Sequence, residues 1–251
     1  MTEDGQSVET AHLGFTTSPH EECAVEEAVL LTEANGGTVT VMTAGPAEAE
    51  EQLRYAASVG ATELVLIPTD EADGPWDPQR TAAALTEAIQ GIEAEHGPFD
   101  LILFGNESAD SGGYQVGVRV ARALGRSIVN GIKGIEFPED DPDVVIARRA
   151  VDAGFEVYRL PRPAVLGVKE GLNLPRYPTM RGRLASKKAE LRSIDADGDA
   201  GGQAMIRLHR PEEQVSTTEI IGDSSKSADE VAVKVVDLLE ELGVLTTGGG
   251  A

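Results

Sequence analysis

Residues 100–117, DLILFGNESADSGGYQVG, decide the fold of this chain. The apolar run 101–104 predicts a buried strand, residues 105–113 predict a turn-rich loop, and a helix is predicted from Tyr114 to Ala123. Glycines let a backbone approach a ligand closely, and the free N–H groups at a helix start favour an anion. The stretch therefore predicts either a phosphate-binding loop or a plain structural turn, and the residues alone leave both interpretations open.

The elements before this stretch alternate between helix and strand. Helices are predicted over residues 18–33, 47–59 and 78–95, and strands over residues 38–42 and 64–67. This alternation predicts an α/β fold with a parallel sheet that helices cover on both faces. Because the carboxyl ends of parallel strands share one edge, we expect residues 43–45 to lie beside the loop 105–113, where such sheets bind ligands.

The pattern changes after Gly125. Strands joined by short turns are predicted over residues 127–137, 144–151 and 154–160. They indicate a β-meander that adds antiparallel strands to the sheet. An apolar strand over 163–168 leads into an irregular loop, 169–179, whose apolar residues either fold back on the core or face a partner. A short basic helix is predicted over 181–188.

We predict two domains, an α/β nucleotide-binding domain over residues 1–190 and a C-terminal linker and arm over residues 191–251. Residues 205–208 are predicted to form a last strand. Residues 229–243 predict an amphipathic helix. Because this helix follows a long tether, we expect it to dock on another subunit. The tail, 246–251, is predicted to be disordered.

Charge and composition exclude several classes of function. The 251 residues carry 21 basic and 43 acidic side chains, a net charge of -22, which argues against nucleic acid binding. The acid is diffuse and lysine is scarce, which predicts a surface hydrated in high salt and a halophilic source, an archaeon. The single cysteine, Cys23, excludes an intrachain disulfide. Since no apolar run reaches the roughly 20 residues of a membrane span, we predict a cytoplasmic protein.

The sequence lacks the common catalytic and metal-binding motifs. The histidines His12, His20, His96 and His209 have no metal-ligand spacing, and the chain has no nucleophile elbow, Walker loop or first-strand GxGxxG. The run DSGGYQ at residues 110–115 is only faintly similar to the SGGxDS loop of ATP pyrophosphatases, because the second Asp-Ser is missing. We therefore predict a binding protein that is not an enzyme and binds no metal.

Three segments of the chain resemble the beta subunit of electron transfer flavoprotein. AVEEAV at residues 24–29 is similar to the first helix of that family, and residues 105–117 are similar to its nucleotide loop. The most specific segment is LNLPRYPT at residues 172–179, which a basic helix follows. The resemblance covers residues 18–188 and implies a three-layer αβα, Rossmann-like fold of the adenine nucleotide alpha hydrolase kind, with a mostly parallel sheet.

The resemblance implies a heterodimer in which an alpha subunit and this chain together hold one FAD. That FAD would carry electrons from acyl-CoA or other flavin dehydrogenases to a membrane quinone oxidoreductase. Beta subunits of this family also bury an AMP that has a structural role. By position, the nucleotide-binding residues would be Ser18, Pro19, Glu21, Ala44, Gly105, Asn106, Glu107, Ser108, Ala109, Asp110, Ser111, Gly112, Gly113, Tyr114, Gln115 and Val116.

The resemblance also implies a recognition loop for the partner dehydrogenase. Its residues would be Gly171, Leu172, Asn173, Leu174, Pro175, Arg176 and Tyr177. Within this loop, Leu172 stands in the position that anchors into the dehydrogenase.

The chain departs from the family at its beginning. The family opens with a strand of the form VLVxVK in the middle of the sheet, and residues 1–17 are either a divergent remnant of that strand or follow a truncated start. We therefore expect unpaired strand edges and open apolar surface at that place. Two alternatives stay open. One is a stand-alone adenine-nucleotide-binding protein of the ATP pyrophosphatase or universal stress protein type, and the other is an electron-bifurcating subunit with a second FAD.

Overall fold

A computed structural model describes residues 1–70, 76–196, 198, 202–211, 220–222, 225 and 227–245. The chain divides into two compact units, Met1–Leu208 and His209–Ala251. The predicted disordered tail, 246–251, lies outside the described residues.

The first unit alternates helices and strands in the predicted order. The helices are α1 (Pro19–Asn35), α2 (Glu50–Val59), α3 (Pro78–His96), α4 (Val116–Leu124) and α5 (Met180–Ser186). The strands are β1 (Thr40–Gly45), β2 (Glu63–Pro68), β3 (Leu101–Gly105), β4 (Ser127–Glu136), β5 (Val144–Val151), β6 (Gly154–Pro161), β7 (Ala164–Val168) and β8 (Leu191–Ser193).

Helix α1 begins and ends for reasons that are visible in the sequence. Pro19 lies in the first turn, where its missing N–H costs nothing, and Glu21 and Glu22 lie beside the positive end of the helix dipole. Gly36 ends the helix with a φ of 79°, a left-handed conformation that favours glycine. Helix α1 therefore presents the acidic side chains of Glu21 and Glu22 at its start.

The strands form two sheets. The order of the first is β1-β2-β8, all parallel, and the order of the second is β3-β7-β4-β5-β6. In the second sheet β3, β7 and β4 are parallel, whereas β4, β5 and β6 are antiparallel. The predicted α/β fold with a parallel core and an added antiparallel meander is therefore confirmed.

The two sheets end at β1 and β3, which face a common cavity. Among the described residues, β1 pairs with β2 alone and β3 pairs with β7 alone. Both strands line a cavity of about 550 Å³. Among the described residues, β1 and β3 are thus each paired on one side only, and we call the space between residues 40–44 and residues 101–105 the central slot.

Burial along the strands reflects this gap. Every residue of β7 is buried, and four residues of β2 are buried, as expected for inner strands of a covered sheet. All five residues of β3 are only half-buried, although their sequence, LILFG, is as apolar as that of β7. The residues of β3 are only half-buried because β3 lacks a neighbouring strand on one side among the described residues.

One prediction about the end of the first unit is corrected. Residues 205–208 are not a strand in the structure. Among the described residues, the last strand is instead β8, which pairs with β2 from Leu64 to Leu66. Three residues of strand are too few to give a recognisable alternation of apolar side chains.

The second unit contains the predicted amphipathic helix, α6 (Ala228–Glu241). Ser227 and Glu230 form a capping box, in which each side chain accepts a hydrogen bond from the other residue's backbone N–H. None of the helix residues is buried, and Val233 and Val236 are among its exposed apolar side chains. That α6 docks on another subunit stays a prediction.

Candidate functional site

The start of α1 presents two buried polar atoms without partners. Ser18 precedes the helix in an extended conformation, but its side chain caps no backbone N–H. The Ser18 hydroxyl oxygen and the Oε2 atom of Glu21 are both buried and accept no hydrogen bond. Buried polar groups in proteins are nearly always hydrogen-bonded. Two buried oxygens without a hydrogen-bond partner at one helix start therefore indicate a ligand position.

The Glu21 carboxylate lies against the backbone of Gly105, at the carboxyl end of β3. A Cβ atom added to Gly105 would collide with this carboxylate unless the Glu21 side chain moved away. Burial raises the pKa of the Glu21 carboxyl group above its ordinary value. A carboxylate in this environment is poised to accept hydrogen bonds from the hydroxyl or amino groups of a ligand.

The loop after β3 folds tightly beside Glu21. The Gly112 N–H donates to the Ser108 carbonyl oxygen over 2.8 Å. Gly112 has a φ of 56°, and Tyr114 has a φ of 53°, an uncommon conformation for a residue other than glycine. Strained backbone conformations of this kind cluster at functional sites in proteins.

The helix that follows the loop has an uncapped start. Gln115 precedes α4, but its side chain makes no cap, because its oxygen accepts hydrogen bonds from the Arg119 side chain. The first-turn N–H groups of α4 are therefore available to an anion such as a phosphate.

Two cavities collect the predicted nucleotide-binding residues. The first, of about 510 Å³, includes Ser18, Pro19 and the loop residues 108–110. The second, the central slot with its extension toward α4, includes Ala44 and most of the loop after β3. Glu21 lines both cavities. Of the sixteen predicted residues, only Gly112 lines neither of these two cavities.

These residues fit an adenine nucleotide. The α4 start offers N–H groups to a phosphate, and Glu21 offers an acceptor that suits ribose hydroxyls, as carboxylates do in dinucleotide-binding folds. Cavities of this size are typical of small-molecule sites. A bound nucleotide would offer hydrogen-bond partners to the orphaned oxygens of Ser18 and Glu21.

The recognition loop, residues 171–177, is held on α1 by polar contacts. The Asn173 side-chain amide donates to the Cys23 carbonyl oxygen and to a Glu27 carboxylate oxygen, both over 3.0 Å. Burial raises the pKa of Glu27, and the Asn173 hydrogen bond opposes that shift. Helix α1 therefore lines both cavities near its start and holds the loop 171–177 along its side.

Arg176 makes the strongest of these contacts. Its guanidinium group lies between two carboxylates of α1, 2.9 Å from Glu26 and 2.7 Å from Glu33. Its backbone N–H also donates to Glu26 over 3.0 Å. Hydrogen bonds to Glu33 and Glu26 raise the pKa of Arg176, so this residue stays charged. The Glu26 side chain is only 6% exposed, and Arg176 is its charge partner.

The apolar residues of the recognition loop face in different directions. Leu172 is half-buried and packs against the core that contains Cys23, Ile132 and Val168. Leu174 and Tyr177 are 90% and 91% exposed. The sequence-based hypothesis gave Leu172 the leading role in partner binding, whereas the structure presents Leu174 and Tyr177 at the surface.

His20 connects the nucleotide loop to the recognition loop. Its Nδ1 atom accepts the Glu170 backbone N–H over 2.9 Å, and its Nε2 atom lies 3.6 Å from the Glu107 carboxylate. Sequence reasoning assigned no role to His20, because its partner Glu170 is 150 residues away along the chain. The helix-start position beside Ser18 was the only available signal.

No group of three or more His, Cys, Asp or Glu side chains within the described part of the chain could hold a metal ion. No described helix combines the length and the apolar character that crossing a bilayer requires.

Comparisons with known proteins agree with the geometry. The model of the electron transfer flavoprotein domain matches residues 7–199. The chain is similar to electron transfer flavoprotein subunit beta of Thermoanaerobacterium thermosaccharolyticum, with 34% identity over 72% of this chain and 66% of the relative. The subunit of the same name from Bacillus subtilis is 35% identical over 72% of this chain and 67% of the relative. That from Bradyrhizobium diazoefficiens is 31% identical over 96% of this chain and 92% of the relative.

Proposed function

The chain belongs to the electron transfer flavoprotein family, among its beta subunits, and from that premise we propose that it is the beta subunit of a heterodimeric electron carrier. An alpha subunit would be its partner, and the two chains would together hold one FAD. The FAD supplies the electron-transfer chemistry when it is bound. The chain itself would act by binding and positioning, without catalytic residues.

We further propose that the site at the start of α1 holds an adenine nucleotide of the size of AMP. The observation that carries this proposal is the pair of buried, unpartnered oxygens of Ser18 and Glu21 beside the backbone of Gly105. A nucleotide would accept from the Ser18 hydroxyl or donate to it, and its ribose would donate to Glu21. Its phosphate would lie at the start of α4, where the N–H groups are free.

The electron carrier would take electrons from acyl-CoA or other flavin dehydrogenases and pass them to a membrane quinone oxidoreductase. The exposed Leu174 and Tyr177 support a docking role for the recognition loop. An apolar tip held by a buried ion pair loses little conformational entropy on binding, because it is already ordered.

Nucleotide analysis of the heterodimer tests the proposed function. The chain is expressed together with an alpha subunit from the same source and purified, and the released nucleotides are identified by mass spectrometry. We expect AMP and FAD in equal amounts. Two FAD would indicate the electron-bifurcating alternative, and a lone chain that binds no alpha subunit and no nucleotide would overturn the proposal.

The two leucines of the recognition loop are expected to respond differently to truncation. Leu174→Ala removes an exposed apolar contact and should slow dehydrogenase-driven flavin reduction about tenfold, since interface anchors contribute more than 1 kcal/mol. Stability and flavin content should not change.

Leu172→Ala should instead destabilise the chain by about 2 kcal/mol, because Leu172 packs on the core. Stopped-flow flavin reduction and thermal unfolding measure the two effects, and the reverse pattern would restore Leu172 as the anchor.

A further inference from the structure

His20 lies between the loop after β3 and the loop after β7. It belongs to the first turn of α1, and its side chain is only 13% exposed. Its Nδ1 atom accepts a hydrogen bond from the Glu170 backbone N–H over 2.9 Å. Its Nε2 atom lies 3.6 Å from the Glu107 carboxylate, in the loop after β3. One imidazole ring therefore contacts both loops.

The Glu170 N–H marks the place where the chain leaves the sheet. β7 pairs with β4 up to Val168, and the Lys169 N–H still donates to the Ile132 carbonyl oxygen over 3.0 Å. The next N–H, that of Glu170, donates to His20 on α1 instead. Glu170 directly precedes the recognition loop. His20 thus makes the first of the contacts that hold this loop on α1.

The hydrogen bond from Glu170 determines the protonation state of the ring. A backbone N–H can only donate, so the Nδ1 atom of His20 carries no proton in this contact. In a neutral imidazole the proton then lies on Nε2, which faces the Glu107 carboxylate. An imidazolium carries a proton on both nitrogens, and its Nδ1–H would point at the Glu170 N–H. Only the neutral ring can therefore accept this hydrogen bond.

Other titratable side chains belong to the elements that contact His20. They are Glu21 and Glu22 of α1, Glu107 and Tyr114 of the segment after β3, and Lys169 and Glu170 of the segment after β7. Burial raises the pKa of Glu21, and the charge of His20 opposes this rise. A hydrogen bond to Glu107 raises the pKa of the Tyr114 hydroxyl group, which stays neutral near pH 7. Acid can therefore act on Glu21 as well as on His20, and variants of His20 distinguish the two.

We propose that His20 is a positioning residue, which holds the recognition loop ready for docking only while its imidazole ring is neutral. Histidine side chains change charge between about pH 5 and 8, so the Glu170 contact is lost as the pH falls through that range. A loop with one anchor fewer must be ordered on binding, which lowers its affinity for a dehydrogenase. This inference rests on the proposed function, because that proposal supplies the partner on which the loop docks.

Two substitutions separate the acceptor atom of His20 from its charge. The Oδ1 atom of asparagine takes the place of Nδ1, so His20→Asn keeps an acceptor for the Glu170 N–H but cannot be protonated. His20→Leu removes both the acceptor and the charge. His96→Leu is the matched control, because His96 also lies 3.6 Å from a glutamate but is 64% exposed and far from the recognition loop in sequence.

Hydrogen exchange of the co-expressed heterodimer measures the loop directly. Protection of the amides at residues 170–177, relative to an unstructured peptide at the same pH, should fall about fivefold between about pH 8 and pH 5. In His20→Asn the protection should stay high at both pH values. In His20→Leu it should be low at both, and His96→Leu should behave as the unmodified chain does.

Dehydrogenase-driven flavin reduction measures docking, with each variant compared with the unmodified heterodimer at the same pH. His20→Leu should raise the KM for the heterodimer about fivefold at about pH 8, and this ratio should approach one at about pH 5. His20→Asn should have an unchanged KM at the higher pH and about fivefold lower KM at the lower pH. The ratios of kcat should stay near one, because His20 acts on docking alone.

The exchange experiment decides the inference without a dehydrogenase. Equal protection in the unmodified chain and in His20→Leu would overturn it, since the Glu170 N–H would not depend on His20. A pH-dependent loss of protection that persists in His20→Asn would also overturn it and assign the effect to another group, such as Glu21. Should His20→Leu fail to fold, the comparison with His20→Asn still decides. A heterodimer that accepts no electrons from dehydrogenases would overturn the proposed function instead.

Discussion

Replacing Arg176 with methionine is expected to lower the free energy of unfolding by about 3 kcal/mol. The change leaves the Glu26 carboxylate buried without a charge partner, since its side chain is only 6% exposed. Because Arg176 itself is one-third exposed, the expected loss lies at the lower end of the range for broken buried ion pairs. For a unit of this size, the melting temperature should fall by about 6–12 °C.

A double variant separates the lost ion pair from lost packing. Arg176→Met combined with Glu26→Gln removes both charges, so most of the stability should return. The matched control is Arg148→Met, which breaks an exposed pair with Glu136 and should change stability by less than about 1 kcal/mol. If both arginine variants cost the same, Glu26 is solvated in solution and the buried pair does not hold the recognition loop.

The Arg176 contacts also explain why the recognition loop is ordered without a partner. A loop with Leu174 and Tyr177 almost fully exposed gains nothing from burying them. Its order comes from Arg176, Asn173 and the Glu170 N–H, all bound to side chains or carbonyls of α1. We therefore expect Arg176→Met to slow electron transfer from dehydrogenases as well, because a mobile loop must be ordered on binding.

The sequence could predict the helices and strands because their signals are local. The LILF run of β3 and the turn between β5 and β6 each lie within a few neighbouring residues. Apolar periodicity and turn residues are sufficient for elements of this kind. The open edges at β1 and β3 were expected only through the resemblance, because residues 1–17 show no counterpart of the family's first strand.

The contacts that shape the site could not be predicted from local patterns. Glu26 and Arg176 are 150 residues apart, as are His20 and Glu170. A glutamate on an apolar helix face and an arginine in a loop are each more often solvated than paired. The resemblance placed Leu172 in the anchoring position, whereas the structure packs Leu172 on the core and exposes Leu174.

Replacing Glu21 with glutamine is expected to have opposite effects on stability and on nucleotide binding. Burial raises the pKa of Glu21, so the folded ligand-free chain binds a proton more tightly than the unfolded chain does. Stability should therefore fall as pH rises from about 4.5, the ordinary value, through the raised pKa, and remain low above it. Glutamine cannot ionise, so Glu21→Gln should be the more stable chain at pH 7, and this advantage should vanish at acidic pH.

Nucleotide retention should change in the other direction. A carboxylate that accepts ribose hydroxyls contributes about 2 kcal/mol, so Glu21→Gln should weaken AMP binding about 30-fold. Denaturant unfolding between acidic and neutral pH measures the first effect, and AMP bound to the co-expressed complex after gel filtration measures the second. Glu48→Gln, at an exposed glutamate before α2, should change neither. Unchanged AMP retention with increased stability would mean that Glu21 is buried beside Gly105 for a reason other than the nucleotide. If Glu21→Gln lowered both the stability and the AMP retention, the Glu21 carboxylate would accept a hydrogen bond within the folded chain itself.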